Sequence, residues 1–348
     1  MRLESLVPSI PADLVAALDH SCGIRTDTDL LFFGSSLDII KKLPLGTVTL
    51  SDVEKFTELV AERASAPGHR GDEILADMGR ISEKHSRASC GVRELDDLVD
   101  GFGGSRVFEI SGDKGSGKTA LALQIVIQRL VADADSCALW IDTSGDFSVE
   151  KTAELVRHCD LAVSVNVLER LQVSLGFSIE EVHGVLGALR ISLSSSRTVG
   201  PTIRLVVLDS ITPLLLPFLS AVSSQGHAMM TTFMRQLREL AQTFGITIIV
   251  INGTSAAAPF NQSSAFASTI RKPALGPSFT FMTDCTLWLS KTKDLPDSEG
   301  SFSVHVAEVF RSRTTRSKTW CTFKFSHDVL SSTSDFQLSP YTAGRFLA

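Results

Sequence analysis

Gly112, Asp113, Lys114, Gly115, Ser116, Gly117, Lys118 and Thr119 stand in the spacing of a phosphate-binding loop: a glycine, four steps, then Gly-Lys-Thr. Glycines let the backbone close round an anion so that successive N–H groups point inward. The Lys118 ammonium has the reach to meet β- and γ-phosphates, and the Thr119 hydroxyl is a hard oxygen donor suited to Mg²⁺. The chemistry implied is binding of a nucleoside triphosphate, with ATP the expected nucleotide. Downstream, Arg204 and the apolar run Leu205 to Leu208 end in Asp209. Alone, such a run could equally end in a helix cap or a turn. Paired with the loop, it supplies the second Mg²⁺ donor expected opposite Thr119.

These groups need a scaffold, and the pattern around them supplies one. Residues 106–111 read as a strand and 119–129 as a helix, the strand–loop–helix order in which a helix N-terminus meets phosphate. Strand patterns at 137–142, 170–175, 204–209 and 246–252 alternate with helix patterns at 148–158, 178–192 and 229–244, the second opened by a Ser178/Glu181 capping box. That alternation predicts an α/β fold with a mostly parallel central sheet and helices on both faces. Asp209 then emerges at the carboxyl edge, where open α/β sheets bind ligands. Three more strands are expected at 284–290, 301–310 and 319–325. The first 64 residues read as a small helical unit, with helices at 12–20 and 28–33. A Ser51/Glu54 capping box opens a third, running to Ala64, with Val53, Phe56 and Val60 on one face. Residues 65–89 have linker composition, leaving 90–348 as the core.

At 348 residues, 43% hydrophobic, the chain suits a core with a smaller attachment. Its start lacks the apolar segment of a signal peptide, and its longest apolar run, 205–219, is broken by Asp209, Pro213 and Pro217. No membrane association is expected, and a cytosolic or nuclear setting is. The six cysteines show no CxxC spacing and read as reduced and mostly buried; the His158–Cys159 pair reads as structural. A net charge of −6 excludes a polycation that coats nucleic acid. Any DNA contact would have to come from local patches: Arg271 with Lys272, and Arg311, Arg313, Arg316 and Lys318, which are either phosphate contacts or, as is usual for charge clusters, solvated loops. Residues 253–270 show neither period nor charge, a length of irregular chain that is usually functional or disordered.

The entry segment Cys90-Gly-Val-Arg-Glu-Leu-Asp-Asp-Leu-Val-Asp-Gly101, the terminal Asp209, the long loop after 246–252 and the closing hairpin together resemble the core of RecA-type recombinases. A small helical domain ahead of that core is the family's eukaryotic arrangement, and the stretches 23–30 and 272–281 are most similar to the D branch of its paralogues. The resemblance implies a RecA-type P-loop ATPase core using ATP and Mg²⁺, and work in the nucleus in homologous-recombination repair of double-strand breaks. It further implies single-stranded DNA, other recombinase paralogues in a hetero-oligomer, and the main recombinase filament as partners. By it, 253–270 with Arg271 and Lys272 corresponds to the second DNA-facing loop and 214–227 to the first.

The sequence departs from the family at three places. The first loop carries no Lys or Arg; its apolar cluster Leu214, Leu215, Leu216, Phe218 and Leu219 either meets a partner or packs inside. Ser144 stands where active recombinases carry the Glu that orients the attacking water, and Asp142 and Asp146 are each displaced by two positions. Gly253 stands where the family's phosphate-sensing amide is expected, with Asn252 before it. Nucleotide binding with slow or absent hydrolysis is the expectation, which favours a recombination mediator over an enzyme performing strand exchange itself. A RecA-fold helicase or clock-type ATPase fits less well, since those retain the Glu and lack the N-terminal unit.

Overall fold

The computed structural model describes residues 3–7, 9–44, 46, 48–65, 70–73, 75, 88–158, 166–195, 200–219, 224–256, 271–292, 302–326 and 329–333. The chain divides into two compact units, Met1–Asp77 and Met78–Ala348.

The first unit holds helices α1 (Ala12–Cys22), α2 (Asp27–Phe32), α3 (Ser36–Ile40) and α4 (Leu50–Ala64). Leu14, Leu18, Ile24, Leu30, Ile39, Val53 and Val60 meet in one apolar cluster, with Phe56 packed against it. Gly23, at φ 69°, ends α1 in a left-handed cap whose N–H reaches the Asp19 carbonyl. The cap of α4 differs from expectation. Thr49, not Ser51, accepts from the N–H three residues on, and Asp52, not Glu54, returns the bond to the Thr49 N–H. The extended Thr49 presents its hydroxyl one step before the helix, so the box closes two residues early. The short helix α3, capped the same way by Ser35 and Asp38, was not legible in the apolar spacing.

Among the described residues, the sheet of the second unit is built on nine strands: β1 (Val107–Gly112), β2 (Ser136–Asp142), β3 (Leu171–Leu175), β4 (Thr202–Asp209), β5 (Thr247–Asn252), β8 (Cys285–Lys291), β9 (Ser303–Ser312), β10 (Trp320–Ser326) and β11 (Val329–Ser332). Two further short strands, β6 (Thr254–Ala256) and β7 (Arg271–Pro273), pair with each other. The sheet runs β11-β10-β9-β8-β1-β5-β4-β2-β3, parallel from β8 to β3 and antiparallel from β8 to β11. The helices are α5 (Arg93–Val99), α6 (Lys118–Ala132), α7 (Val149–His158), α8 (Ile179–Ser195), α9 (Thr212–Leu215), α10 (Gln225–Phe244) and α11 (Gly276–Met282).

Alternation along the buried strands feeds two cores. Ile249 and Ile251 of β5 join Val207, Trp140 and Ile125 on the face covered by α5, α6 and α7. Ile248 and Val250 join Leu208, Ile141, Phe233 and Leu237 on the face covered by α8 and α10. A strand covered on both faces must be apolar throughout, which is why β4 and β5 read as continuous hydrophobic runs. Truncating Ile249 to alanine removes packing at the centre of the sheet, a change that costs about 2–5 kcal/mol at such sites. The registers bring the carboxyl ends together: Ser111 lies beside Asn252, Asp209 beside Ile251, and Asp142 beside Asp209. The expected site residues therefore share one edge of the sheet.

Of the cysteines, Cys90, Cys137 and Cys285 are buried thiols and Cys22 and Cys321 are half-buried; all five are free. Cys159 lies outside the described residues. Among the described residues, no helix is long and apolar enough to cross a membrane, and no three His, Cys, Asp or Glu side chains gather as a metal cluster.

Candidate nucleotide site

The loop from Gly112 to Gly117 leaves central strand β1 and enters α6 at Lys118. Its glycines are required by geometry at two points. A Cβ on Gly112 would stand 2.3 Å from the Leu289 carbonyl oxygen, and one on Gly117, at φ 91°, would stand 2.5 Å from the Phe325 ring. Asp113, Lys114 and Gly115 are exposed at the mouth, and open space surrounds Gly115. Lys118 folds over the loop, its Nζ donating to the Gly112 and Asp113 carbonyls, both at 2.8 Å. Burial lowers its pKa, with Asp209 and Asp113 opposing that shift.

Thr119 Oγ1 donates to Asp209 Oδ2 at 2.9 Å, joining two groups 90 positions apart in the sequence. Burial raises the Asp209 pKa to about 6; the Thr119 bond and Lys118 work against that rise, and the charges of Asp142 and Asp146 add to it. A hydroxyl and a carboxylate in contact, beside an ammonium and a loop shaped by glycine, fit a hard divalent cation bound with a polyphosphate. The residues that would hold the cation are Thr119 and Asp209, and those that would hold the nucleotide are the loop residues 112–119.

A pH dependence follows. The raised Asp209 pKa means that this group favours the folded state most below its unfolded value near 4, and that the contribution is lost as pH rises through about 6. A divalent cation selects the ionised form and reverses the preference. The gain in thermal stability from Mg·ATP is expected to grow between about pH 5 and 7, and to become small and pH-independent in Asp209→Asn. A wild-type gain that is flat across that range would remove Asp209 from the site.

Neither carboxylate near Ser144 is placed as a substitute base by its contacts. Asp142 Oδ1 accepts from the Ser144 and Gly145 N–H groups, both at 2.9 Å, and from the Ser144 hydroxyl at 3.2 Å; Oδ2 accepts from the Phe147 N–H at 2.9 Å. Burial opposes its ionisation, but these donors win and hold the carboxyl below its ordinary range. Asp142 thus shapes the turn 143–147, and Asp146 is exposed on that turn.

Asn252, beside the glycine at the expected sensing position, is turned inward. Its Nδ2 donates to Glu109 Oε1 at 2.7 Å and to the Ala274 carbonyl at 2.9 Å, and its Oδ1 accepts from Thr212. Glu109 also accepts from Ser111 and Thr286. Its carboxyl pKa is raised, burial outweighing those three hydrogen bonds. This buried network was invisible in the sequence, where Glu109 is a lone acid in an apolar strand.

Arg271 lies at the same edge. Its Nε and Nη2 donate to Asp113 Oδ1 at 3.0 and 2.5 Å, and Nη2 also donates to Thr254 Oγ1, so a phosphate-loop residue and the base of the 257–270 segment are directly linked. Lys272 follows on β7, opposite Ser255. Residues 257–270 lie outside the described residues. The basic turn 311–318 is at the opposite end of the sheet, since Ser312 pairs with Cys285 and Cys285 with Phe108 near the start of β1. There Arg311 donates to the Thr280 and Thr283 carbonyls and lies over the Phe281 ring, and Arg313 pairs with Asp284. Arg316 and Lys318 remain exposed. The apolar cluster is split: Leu214 and Leu215 are buried, whereas Leu216 and Phe218 are 51% and 44% exposed.

The sequence model of the Rad51 family, described as Rad51, matches residues 83–298, more than half of the chain. The chain belongs to the Rad51 family. DNA repair protein RAD51 homolog 4 of Bos taurus is 29% identical over 306 residues, covering 86% of this chain and 87% of the bovine protein. The Mus musculus protein of the same name is 28% identical over 209 residues, 59% of this chain and 61% of its own length. DNA repair protein RAD51 of Saccharomyces cerevisiae is 23% identical over 317 residues, 76% of each chain. In fold, a crystal structure of the RadB recombinase superposes with a TM-score of 0.55 at 23% identity, covering 71% of this chain and all of that one. The expected RecA-type fold and the resemblance to the D paralogues, the RAD51 homolog 4 group, are borne out.

Proposed function

We propose that this protein binds Mg·ATP at residues 112–119 with Thr119 and Asp209, hydrolyses it slowly or not at all, and acts in homologous-recombination repair by assisting recombinase filaments on single-stranded DNA. The observation that carries the nucleotide reading is the contact of Thr119 with Asp209 beneath Lys118, at the mouth of a loop that only glycines can form. Kinship with DNA-repair proteins supplies the pathway. The nucleus is the corresponding place of action. Assembly with related paralogues is the corresponding state, and the exposed Leu216 and Phe218 offer apolar contact for it.

Arg271 and Lys272 are the residues proposed to touch DNA phosphates. Arg271 is ion-paired with Asp113 of the phosphate loop, so one side chain links the proposed DNA contact to the proposed nucleotide site. Arg271→Ala is expected to weaken single-stranded DNA binding for all sequences alike and to reduce the salt slope by about one. Asp113→Ala, which removes the carboxylate that holds the guanidinium, is expected to strengthen binding. Arg313→Ala and Arg316→Ala, at the other end of the sheet, are expected to leave it unchanged. Salt-titrated binding to labelled single strands checks all four; an inert Arg271→Ala with a disruptive Arg313→Ala would move the DNA contact to the basic turn.

A further inference from the structure

The back wall of the phosphate loop is built by the antiparallel half of the sheet, and one side chain in it has chemistry that the nucleotide reading has not used. His305 on β9 lies opposite Phe323 of β10 and Lys291 of β8. It is 2% exposed, stacked against Phe323 with centroids 5.5 Å apart and edge-on to Phe325 at 5.1 Å. Its Nδ1 is 3.0 Å from the Ser116 carbonyl oxygen in the loop, and its Nε2 is 2.9 Å from Ser303 Oγ.

Chemistry assigns the protons. A carbonyl oxygen only accepts, so Nδ1 carries the hydrogen, and the lone pair on Nε2 accepts from the Ser303 hydroxyl. Burial pushes the imidazole pKa down to about 4, with the Ser116 carbonyl opposing, so the ring is neutral near pH 7. The same wall presses on the next residue, where Phe325 occupies the space that a Gly117 Cβ would need. In a trans peptide the carbonyl and the following N–H point in opposite directions. Turning the Ser116 carbonyl into the wall therefore turns the Gly117 N–H outward, toward the open side of the loop. Ser116 N–H is already taken by the Asp113 carbonyl, whereas Gly117 N–H has no backbone partner among the described residues.

We propose that His305 is a positioning residue for nucleotide binding, holding the Ser116–Gly117 peptide so that the Gly117 N–H is presented to a bound phosphate. This rests on the reading of residues 112–119 as the ATP site. It gives the antiparallel extension of the sheet a part in the nucleotide site, through a side chain 189 positions from its loop partner.

The test compares variants of the full-length protein by equilibrium titration with Mg·ATP. His305→Phe keeps the ring volume and removes the donor, and affinity is expected to fall about tenfold, as it does when an orienting hydrogen bond behind a ligand group is lost. His305→Asn puts an amide N–H near the Nδ1 position and is expected to recover most of that loss. His305→Gln offers its amide nearer the Nε2 position and is expected to behave like Phe. A role limited to packing predicts the opposite order, with Phe closest to wild type. Nitrogen-15 spectra of the wild-type imidazole give a readout independent of nucleotide: the Nδ1-protonated tautomer is expected, and the Nε2-protonated form overturns the proposal even where a variant fails to fold. Wild-type protein that binds no ATP overturns the nucleotide reading and this inference together. Wild-type binding with an unaffected His305→Phe overturns this inference alone.

Discussion

Lys118→Ala is expected to lower Mg·ATP affinity about 100-fold while leaving the thermal unfolding of the nucleotide-free protein close to wild type. The size of the effect follows from two losses at once. The ammonium lies on the loop itself, and charge-assisted hydrogen bonds to phosphate are the strong ones. It also ties the loop together, holding the Gly112 and Asp113 carbonyls from one nitrogen. Stability is spared because the side chain sits on the loop and not among the buried side chains of either core. Lys118→Arg retains the charge but replaces a compact ammonium by a planar fork that the same two carbonyls do not match, so partial loss is expected there. Unchanged ATP affinity in Lys118→Ala would remove the loop from the site.

Turnover is the second large effect. Purified protein is expected to hydrolyse ATP at least about 100-fold more slowly than an active recombinase under the same conditions, with single-stranded DNA present. Ser144 has no carboxylate, and its hydroxyl is turned to Asp142. Asp142 is engaged by three backbone N–H groups, so drawing it toward a water would cost those bonds. On the far side of the site, Gly253 has no side chain to report a terminal phosphate, and Asn252 is held inside by Glu109 and Ala274. Ser144→Glu is expected to raise turnover only in part, because the Gly253 departure persists. A DNA-stimulated wild-type rate equal to that of an active recombinase would contradict the account.

The parts of the site legible in the sequence are those encoded locally. Gly112 to Thr119 announce a loop by spacing alone, and the apolar run before Asp209 announces a buried strand ending at the ligand edge. What was not legible depends on sheet register. Glu109 meets Asn252 only because β1 and β5 are neighbours with Ser111 beside Asn252. His305 reaches Ser116 only because the chain returns as an antiparallel strand behind the loop. The pairing of Arg271 with Asp113 needs the three-residue ladder of β6 and β7, too short to give a periodic signal. At the other end of the chain, β11 has four residues and no alternation to mark it. By the period of two, a His between Val304 and Val306 falls on the opposite face of the strand from them, and no local pattern marks it as packed against the phosphate loop.

Retention without turnover is measured by following bound nucleotide and released phosphate in one sample. Full-length protein is mixed with one equivalent of Mg·ATP per site and saturating single-stranded DNA, and both are measured over time. About one ATP is expected to be held per site and to stay intact after many turnover times of an active recombinase, with Lys118→Ala holding far less. Rapid release of phosphate from the wild-type protein, or failure to retain ATP at all, would contradict the proposed function.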